Sequence, residues 1–530
     1  MFIGGQGMES HYATDNAHAR QNDAASRHTG IAAAAIMTIF FGLAAEAPAY
    51  ADSPSADLMN RAWQAGAIRH AQQMRIHRDP DKGEQVTPPV IPEKEIDFNA
   101  AGMIATIQPN GATKTSQNAF FQDLGTNGRT CFTCHQPQSG WSVSAAGIQA
   151  RFYASFGSDP IFRLVDGATC PTADVSTIAK KLKAYGLLLS KGLFRIALEI
   201  PVTTQFRIAS IDDPYNCTTN ASTGMTSPQT GIVSMYRRPL PATNLGFLSA
   251  IMWDGREPSL ESQALDATLG HAQGSTQLTG AEVQQIIDFE TGLLTAQTYD
   301  KKAHDLSDGG VGGGPQKLEA QLGAFFIGIN DPLGLNPKGT AFTSKIFNLY
   351  DAWADSKTHG QVGRSRSAIA RGQDIFNNTP INITGVAGLN DALHQPTISG
   401  FCGTCHDSPN VGNHSVKAPL DIGVADAGDD ASPALDISDL PVFTVQCVSG
   451  PLAGKTYVVT DLGRAMISGN CADIGKMKGP ILRGLASRAP YFHNGAAATL
   501  LDVVNFYDQR FGIGFTEQQK QDLVAFLNTL

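Results

Sequence analysis

Two short segments dominate the chemistry this chain can do: Cys131-Phe132-Thr133-Cys134-His135 and Cys402-Gly403-Thr404-Cys405-His406. Cysteines at i and i+3 lie on one face of a helical turn, so both sulfurs reach one macrocycle and add to the two vinyl groups of a porphyrin. The histidine that follows then projects under the ring as the proximal iron ligand. A lone CxxC would also suit a redox dithiol or half of a zinc site. Two CxxCH copies in an exported chain argue instead for two covalently bound haem c groups. His135 and His406 are the expected iron ligands.

The chain has 8 cysteines, and the four outside the motifs are Cys170, Cys217, Cys447 and Cys471. Export permits disulfides. Each of the pairs Cys170–Cys217 and Cys447–Cys471 sits inside one insertion, so local pairing is expected, with four free thiols as the alternative.

The N-terminus reads as an export signal. Arg20, Arg27 and His28 precede an apolar run over 30–45, and the small-residue site Ala49-Tyr50-Ala51 follows. The run is short and alanine-rich for a span of about 20 residues. A cleaved signal and a periplasmic protein starting near Asp52 are expected, with an uncleaved anchor as the alternative. No later segment has the apolar length of a membrane span. The formal net charge of −9 argues against nucleic acid or an anionic membrane surface as partner.

The 530 residues divide by composition and pattern. The expected order is a signal peptide (1–51), an N-terminal arm and linker (52–95) and a first haem domain (96–300) carrying an insertion at 145–230. A connecting segment (301–366) and a second haem domain (367–530) complete it. An amphipathic patch over 59–76 precedes the proline-rich linker Thr87-Pro88-Pro89-Val90-Ile91-Pro92. Within the insertion, 174–191 predicts a helix with Leu182, Tyr185, Leu188 and Leu189 on one face, stopped by Gly192. Residues 194–202 are strand-like. The glycine run at 308–315 lacks the Lys and Ser/Thr of a phosphate loop and reads as a turn.

Residues 368–376 predict a helix before the second haem motif. Runs 442–448 and 455–460 flank Ser449-Gly450-Pro451 as a hairpin. Thr499 caps a helix over 500–508, and Thr516 with Gln519 forms a capping box for the last one. The two haem motifs form a weak repeat, each expected after a helical segment and a glycine-containing loop. The expected fold is mainly α: two cytochrome c-like haem domains with small β-hairpin insertions.

Two further segments carry a family resemblance. Tyr236-Arg237-Arg238-Pro239-Leu240-Pro241-Ala242-Thr243-Asn244, Met252-Trp253-Asp254-Gly255-Arg256 and Gln263 form one. Leu482-Arg483-Gly484-Leu485-Ala486-Ser487-Arg488-Ala489-Pro490-Tyr491-Phe492-His493-Asn494-Gly495 is the other. Together they resemble the bacterial di-haem cytochrome c peroxidase/MauG superfamily over both haem domains. The long insertion after the first haem is similar to that of the rubber oxygenases, distant relatives. The resemblance implies that the N-terminal haem reacts with peroxide, that the C-terminal haem passes or stores electrons, and that Trp253 relays charge between them.

The chain also departs from that family. Thr230 stands where ordinary members carry the histidine that caps the resting first haem, and no histidine occurs between His135 and His271. An open distal side is therefore expected. Gln273 stands where the catalytic glutamate falls, and an amide cannot shuttle a proton. His271, two residues away, is the candidate replacement, against the alternative of a solvent-exposed loop histidine. Arg238 and Arg488 match positions that hold calcium in the family, so calcium is not expected, and the guanidiniums suit haem propionates instead. At the second haem, Tyr507 matches a tyrosine ligand of the MauG type, with Met477 as the alternative. On 500–508, Leu500, Val503, Val504 and Tyr507 share one apolar face.

The resulting expectation is a di-haem oxidoreductase with catalytic residues Trp253, Gln263 and His271. Iron is held by His135, His406 and Tyr507. The partners are hydrogen peroxide or dioxygen and a periplasmic electron donor or oxidisable substrate. The rivals are a rubber-oxygenase-like dioxygenase and a non-enzymatic di-haem electron carrier.

Overall fold

Gly102-Met103-Ile104-Ala105-Thr106-Ile107 is buried along nearly its whole length and forms the centre of a four-stranded sheet. Lys94–Phe98 pairs antiparallel on one side of it and Leu294–Asp300 on the other, with His304–Asp305 at the edge. A central strand covered on both faces shows no alternation of polar and apolar residues, which hides it from a periodicity reading. The computed structural model describes residues 87–217, 231–355 and 358–530, all within one unit of the chain. The export segment, the stretch at 59–76 and Thr230 lie outside the described residues.

Helix makes up 31% of the chain and strand 17%, the strands arranged in five small sheets. The expectation of a mainly α, cytochrome c-like fold is therefore corrected: the protein is a mixed α and β structure. Two of the strands that escaped notice, Phe206–Asp212 and Ile232–Arg237, have remote partners. Phe206–Asp212, inside the insertion, pairs with Val442–Cys447 of the predicted hairpin, whose other strand is Thr456–Val459. Phe206, Ile208, Phe443, Val445 and Val459 share one buried cluster under this sheet. Phe194–Glu199, the strand-like stretch, pairs with Ile232–Arg237. Pairing of this kind depends on side-chain packing between distant segments more than on local propensity.

The expected disulfides form, Cys170–Cys217 across a separation of 47 residues and Cys447–Cys471 across 24. The predicted helix at 174–191 is two pieces, Ile178–Ala184 and Gly186–Lys191, ended by Gly192 at φ 63°. Tyr185, Leu188 and Leu189 are buried as expected, but Leu182 faces solvent. The first haem motif follows two 3-10 turns instead of the expected helical segment, whereas a long helix, Gly360–Asn378, precedes the second.

That long helix packs against the last one, Glu517–Leu527, through Ile369, Phe376, Leu523 and Phe526. A Cβ at Gly372 would stand 2.0 Å from Asp522 O, so the close approach of the two helices requires glycine there. The predicted capping box at Thr516 and the predicted cap at Thr499, itself a box with Asp502, start the last two helices. Among the described residues no helix is long and apolar enough to cross a membrane.

Candidate functional site

Cys131–Cys134 is a single helical turn, capped by Thr130 and closed by Thr133. His135 follows it, and its Nδ1 lies 2.9 Å from Trp141 O. Cys402–Thr404 is a 3-10 turn, and His406 Nδ1 lies 2.6 Å from Gly412 O. In each case a backbone carbonyl fixes the ring through one nitrogen and leaves Nε2 as the free ligand atom, the arrangement metal-binding histidines use. Trp141 is fully buried in the left-handed region at φ 56°, and its Nε1 donates to Thr106 Oγ1 of the central strand. The central sheet thereby holds the carbonyl that orients His135.

Each motif opens into its own cavity, lined mostly by apolar side chains. Cys131, Cys134 and His135 line the first; Cys402, Cys405 and His406 line the second. The four motif cysteines are free, while the other four are bridged. Burial pushes the Cys402 and Cys405 thiols up to about 12 and the Cys134 thiol to about 11, and raises Cys131 as well. Buried neutral thiols suit thioether bonds to a large apolar ring. The residues present fit haem c: paired thiols, a fixed histidine and an apolar slot at each site.

The candidate catalytic residues Trp253, Gln263 and His271 all line the first cavity. His271 is partly exposed at its rim, and its Nδ1 lies 2.6 Å from Asp166 Oδ2. Asp166 belongs to the insertion and also accepts from Arg129 Nη1 at 2.6 Å. Burial pushes the Asp166 carboxyl up, but Arg129 and His271 outweigh it and hold the group below its usual range. Gln273, by contrast, does not line the cavity. Its side chain takes a hydrogen bond from Asn127 Nδ2 at 3.3 Å. A residue the sequence reading missed does line it: Glu290, on the helix Gly280–Gly292. This carboxyl is buried, its Oε2 has no hydrogen-bond partner, and burial pushes it up to about 8.

The second cavity holds both ligand candidates, Tyr507 and Met477. Leu500, Val503 and Val504 line it beside Tyr507, so the apolar face read from the sequence does point inward. Among the described residues the Tyr507 hydroxyl finds no hydrogen-bond partner; burial, with the nearby motif cysteines, raises it above the usual phenol range.

Two copies of one backbone motif build the wall between the cavities. Asn244 and Gly484 are left-handed and each precedes a 3-10 turn, Leu245–Phe247 and Leu485–Ser487. Isolated bridges Ile251–Glu257 and Tyr491–Ala497 follow. Met252 and Phe492 both have φ 64°, and Gly255 and Gly495 have φ 66° and 64°. Ser259 and Thr499 then cap equivalent helices. The left-handed conformation that Met252 and Phe492 share, neither of them glycine, is one that the surroundings enforce. In this repeat Trp253 corresponds to His493 and Arg238 to Lys478. Trp253 lines both cavities. Its Nε1 donates to Arg238 O at 2.8 Å, and its ring meets that of His493 edge-on at 6.1 Å.

The family motifs also have a structural task. Arg237 donates to Asp254 Oδ2 at 2.5 Å and to both oxygens of Asp461, all three residues being buried. Burial works against the Arg237 charge, but Asp461 and Asp254 outweigh it and raise the guanidinium above its usual range. A buried, fully paired network of this kind fixes the loop that carries Trp253.

Such a pair of cysteine–histidine cavities divided by one wall has the donor set that a haem-type redox site needs. No family model matches the chain, but sequence relatives do. It is 31% identical over 141 residues to the cytochrome-c peroxidase IdrP1 of Pseudomonas sp. (strain SCT), covering 24% of this chain and 36% of that protein. It is 45% identical over 78 residues to the cytochrome-c peroxidase IdrP2 of Denitromonas iodatirespirans, 13% of this chain and 21% of that protein. It is 28% identical over 151 residues to a cytochrome c551 peroxidase of Nitrosomonas europaea, 27% and 36% respectively. The matches thus span about a third or less of each relative. A MauG-like protein associated with microbial copper homeostasis aligns over 78% of this chain and 86% of its own at 15% identity and a TM-score of 0.33, too loose a likeness to carry an inference. The sequence relatives bear out the resemblance to di-haem cytochrome c peroxidases, and the cofactor they imply is haem c.

Proposed function

We propose that this protein is an exported di-haem c-type oxidoreductase of the peroxidase kind, acting in the periplasm with peroxide as oxidant. The observation that carries the reading is the pair of cavities, each with two free thiols and one histidine fixed through Nδ1, that share Trp253 in their dividing wall. When bound, haem c supplies a redox-active iron that accepts an oxygen ligand and exchanges electrons. The protein does the rest. His135 and His406 hold the two irons, and Trp253 offers an aromatic step between them.

At the first site, proton handling falls to the two titratable groups at the cavity. His271, oriented by Asp166, stands at the solvent rim, and Glu290 holds a carboxyl proton inside. A proton must reach peroxide oxygen as its O–O bond breaks, and a positioned acid is the usual source.

Mass spectrometry for two haems, then optical and EPR spectra of the oxidised protein before and after peroxide, tests the reading. The expected result is one high-spin and one low-spin haem and a spectral change on peroxide addition at the first. Two six-coordinate haems inert to peroxide would instead mark an electron carrier. Reaction with dioxygen and an organic substrate, without an external donor, would mark an oxygenase.

A further inference from the structure

Three basic side chains without an acidic partner gather on the wall between the cavities. Lys478 is buried, its Nζ donates to Ala250 O at 2.8 Å, and it lines both cavities. Arg238, its counterpart in the backbone repeat, is also buried and also lines both. Its guanidinium donates to the carbonyls of Lys191, Val143 and Arg488. The two are clasped reciprocally: Lys478 N donates to Trp253 O at 2.8 Å, and Arg238 N donates to His493 O at 2.7 Å. Arg488, lining the second cavity, donates to the carbonyls of Gly484, Ile481 and Arg483.

Among the described residues, none of these three cations has a carboxylate within 4.0 Å. The second cavity is lined by no acidic residue, and the first by Glu290 alone. Carbonyl dipoles ease a buried charge but do not cancel it; burial without a counter-charge costs several kcal/mol per ion. The repeat places one such cation in each copy, at the same backbone position, beside the Trp253–His493 ring pair.

We propose that this wall is a carboxylate-binding site serving both cavities, with Arg238 and Lys478 as its paired donors, Arg488 adding to the second side, and the haem propionates as its ligands. The inference rests on the di-haem reading and deepens it. Each haem brings two carboxylates, so two haems supply the negative charge that the wall lacks. The propionates are thereby drawn to the Trp253 side of each slot. Guanidinium and ammonium differ in geometry, a flat fork against a point charge, so the two halves of the repeat hold their carboxylates differently.

The test uses the full holoprotein and the variants Lys478→Leu and Arg488→Gln. Haem content is measured first by mass spectrometry, then both midpoint potentials by spectroelectrochemistry and the propionate bending bands by resonance Raman. With two haems retained, Lys478→Leu should lower both potentials, because removing a nearby positive charge favours the oxidised form. It should also shift a propionate band of each haem. Arg488→Gln should lower the potential of the second haem alone.

Unchanged potentials and bands in a Lys478→Leu protein that keeps two haems would overturn the proposal while leaving the di-haem reading intact. A protein without two haems fails the di-haem reading itself and takes this inference with it. Titration of the unaltered protein with acetate separates the sources of carboxylate. A saturable spectral change that Lys478→Leu abolishes would assign the wall to a free carboxylic acid and overturn the propionate assignment. No response to acetate is the expected result. Should Lys478→Leu not fold, Arg488→Gln decides by whether its effect appears at the second haem.

Discussion

Trp253 and His493 stand at matching positions in two copies of one turn, and their rings meet edge-on with centroids 6.1 Å apart. The indole nitrogen is fixed to Arg238 O, and the imidazole is buried, its Nε2 without a hydrogen bond and 3.9 Å from Asp461 Oδ2. Burial lowers that imidazole to about 4, with Asp461 opposing and Arg237 assisting, so His493 is neutral at pH 7 and adds no charge beside the indole. If Trp253 carries charge between the sites, Trp253→Phe should slow the response of the second haem to peroxide added at the first, with both haems retained. Stopped-flow absorbance at the two haems checks this. An unchanged rate would remove Trp253 from the path. The lost indole hydrogen bond should cost about 1 kcal/mol of stability.

His271 and Asp166 should act as a unit. His271→Gln should lower peroxide turnover by roughly a hundredfold, within the usual worth of a positioned acid–base group. Asp166→Asn should lower it as well and should also destabilise the protein, because Arg129 loses its buried partner. The Asp166 carboxyl is held below its ordinary value of 3.8 in the folded state. Its contribution to stability is therefore present above pH 4 and lost as pH falls through the folded value. Urea melts from pH 3 to 7 should show a steep acid limb that Asp166→Asn flattens. Equal slopes in both proteins would show that the pairing does not contribute.

Glu290 gives the opposite pH signature. Its folded value, about 8, lies above the ordinary 4.5. Between those two, the unfolded chain has released a proton that the folded protein keeps, so stability falls as pH rises through this window. Glu290→Gln removes that loss. Its stabilising effect should be small below pH 4.5 and should grow to at most roughly 4 kcal/mol near pH 8. Denaturant midpoints across pH 4–9 read it directly, and a constant difference between the two proteins would mean that Glu290 is ionised when folded. If Glu290 supplies the proton inside the first cavity, the same variant should lower peroxide turnover by roughly a hundredfold. Full turnover would leave His271 as the proton source.

Tyr507 and Met477 line the same cavity, and substitution separates them. A thioether ligand raises a haem potential, whereas an anionic oxygen lowers it. With Tyr507 as ligand, Tyr507→Phe should convert the second haem to a five-coordinate spectrum and raise its potential, and Met477→Leu should change neither. The reverse pattern would identify Met477.

The gap at the Gln273 position shows where a reading by alignment runs out. Counting along the motif places the proton shuttle there, and its amide then argues for weak peroxide chemistry. In the folded chain Gln273 turns away at φ 55° toward Asn127. Glu290 reaches the same cavity from a separate helix. A glutamate on an amphipathic helix carries no local mark of burial, so the sequence offered no signal for it. Asp166 is hidden in the same way, in an insertion that resembles nothing in the haem motifs. The backbone repeat around Trp253 and His493 was visible in outline, as Met-Trp-Asp-Gly and Phe-His-Asn-Gly, although the sequence reading looked for repetition only at the CxxCH segments.

Short-range spacing alone determined much of this protein. Cysteines three apart followed by histidine, a β-branched hairpin around Ser449-Gly450-Pro451, Thr499 and Thr516 at helix starts, and disulfides closed within single insertions were all legible. Each depends on geometry spanning a few residues, or on a loop closed nearby. Tertiary structure alone decided the rest. It set Phe206–Asp212 against Val442–Cys447, Asp166 against His271, and Arg238 and Lys478 on one wall. These contacts join segments far apart in the chain, and they are selected by burial and charge compensation in three dimensions. No local pattern records that selection, which is why the mixed α and β architecture appeared only on folding.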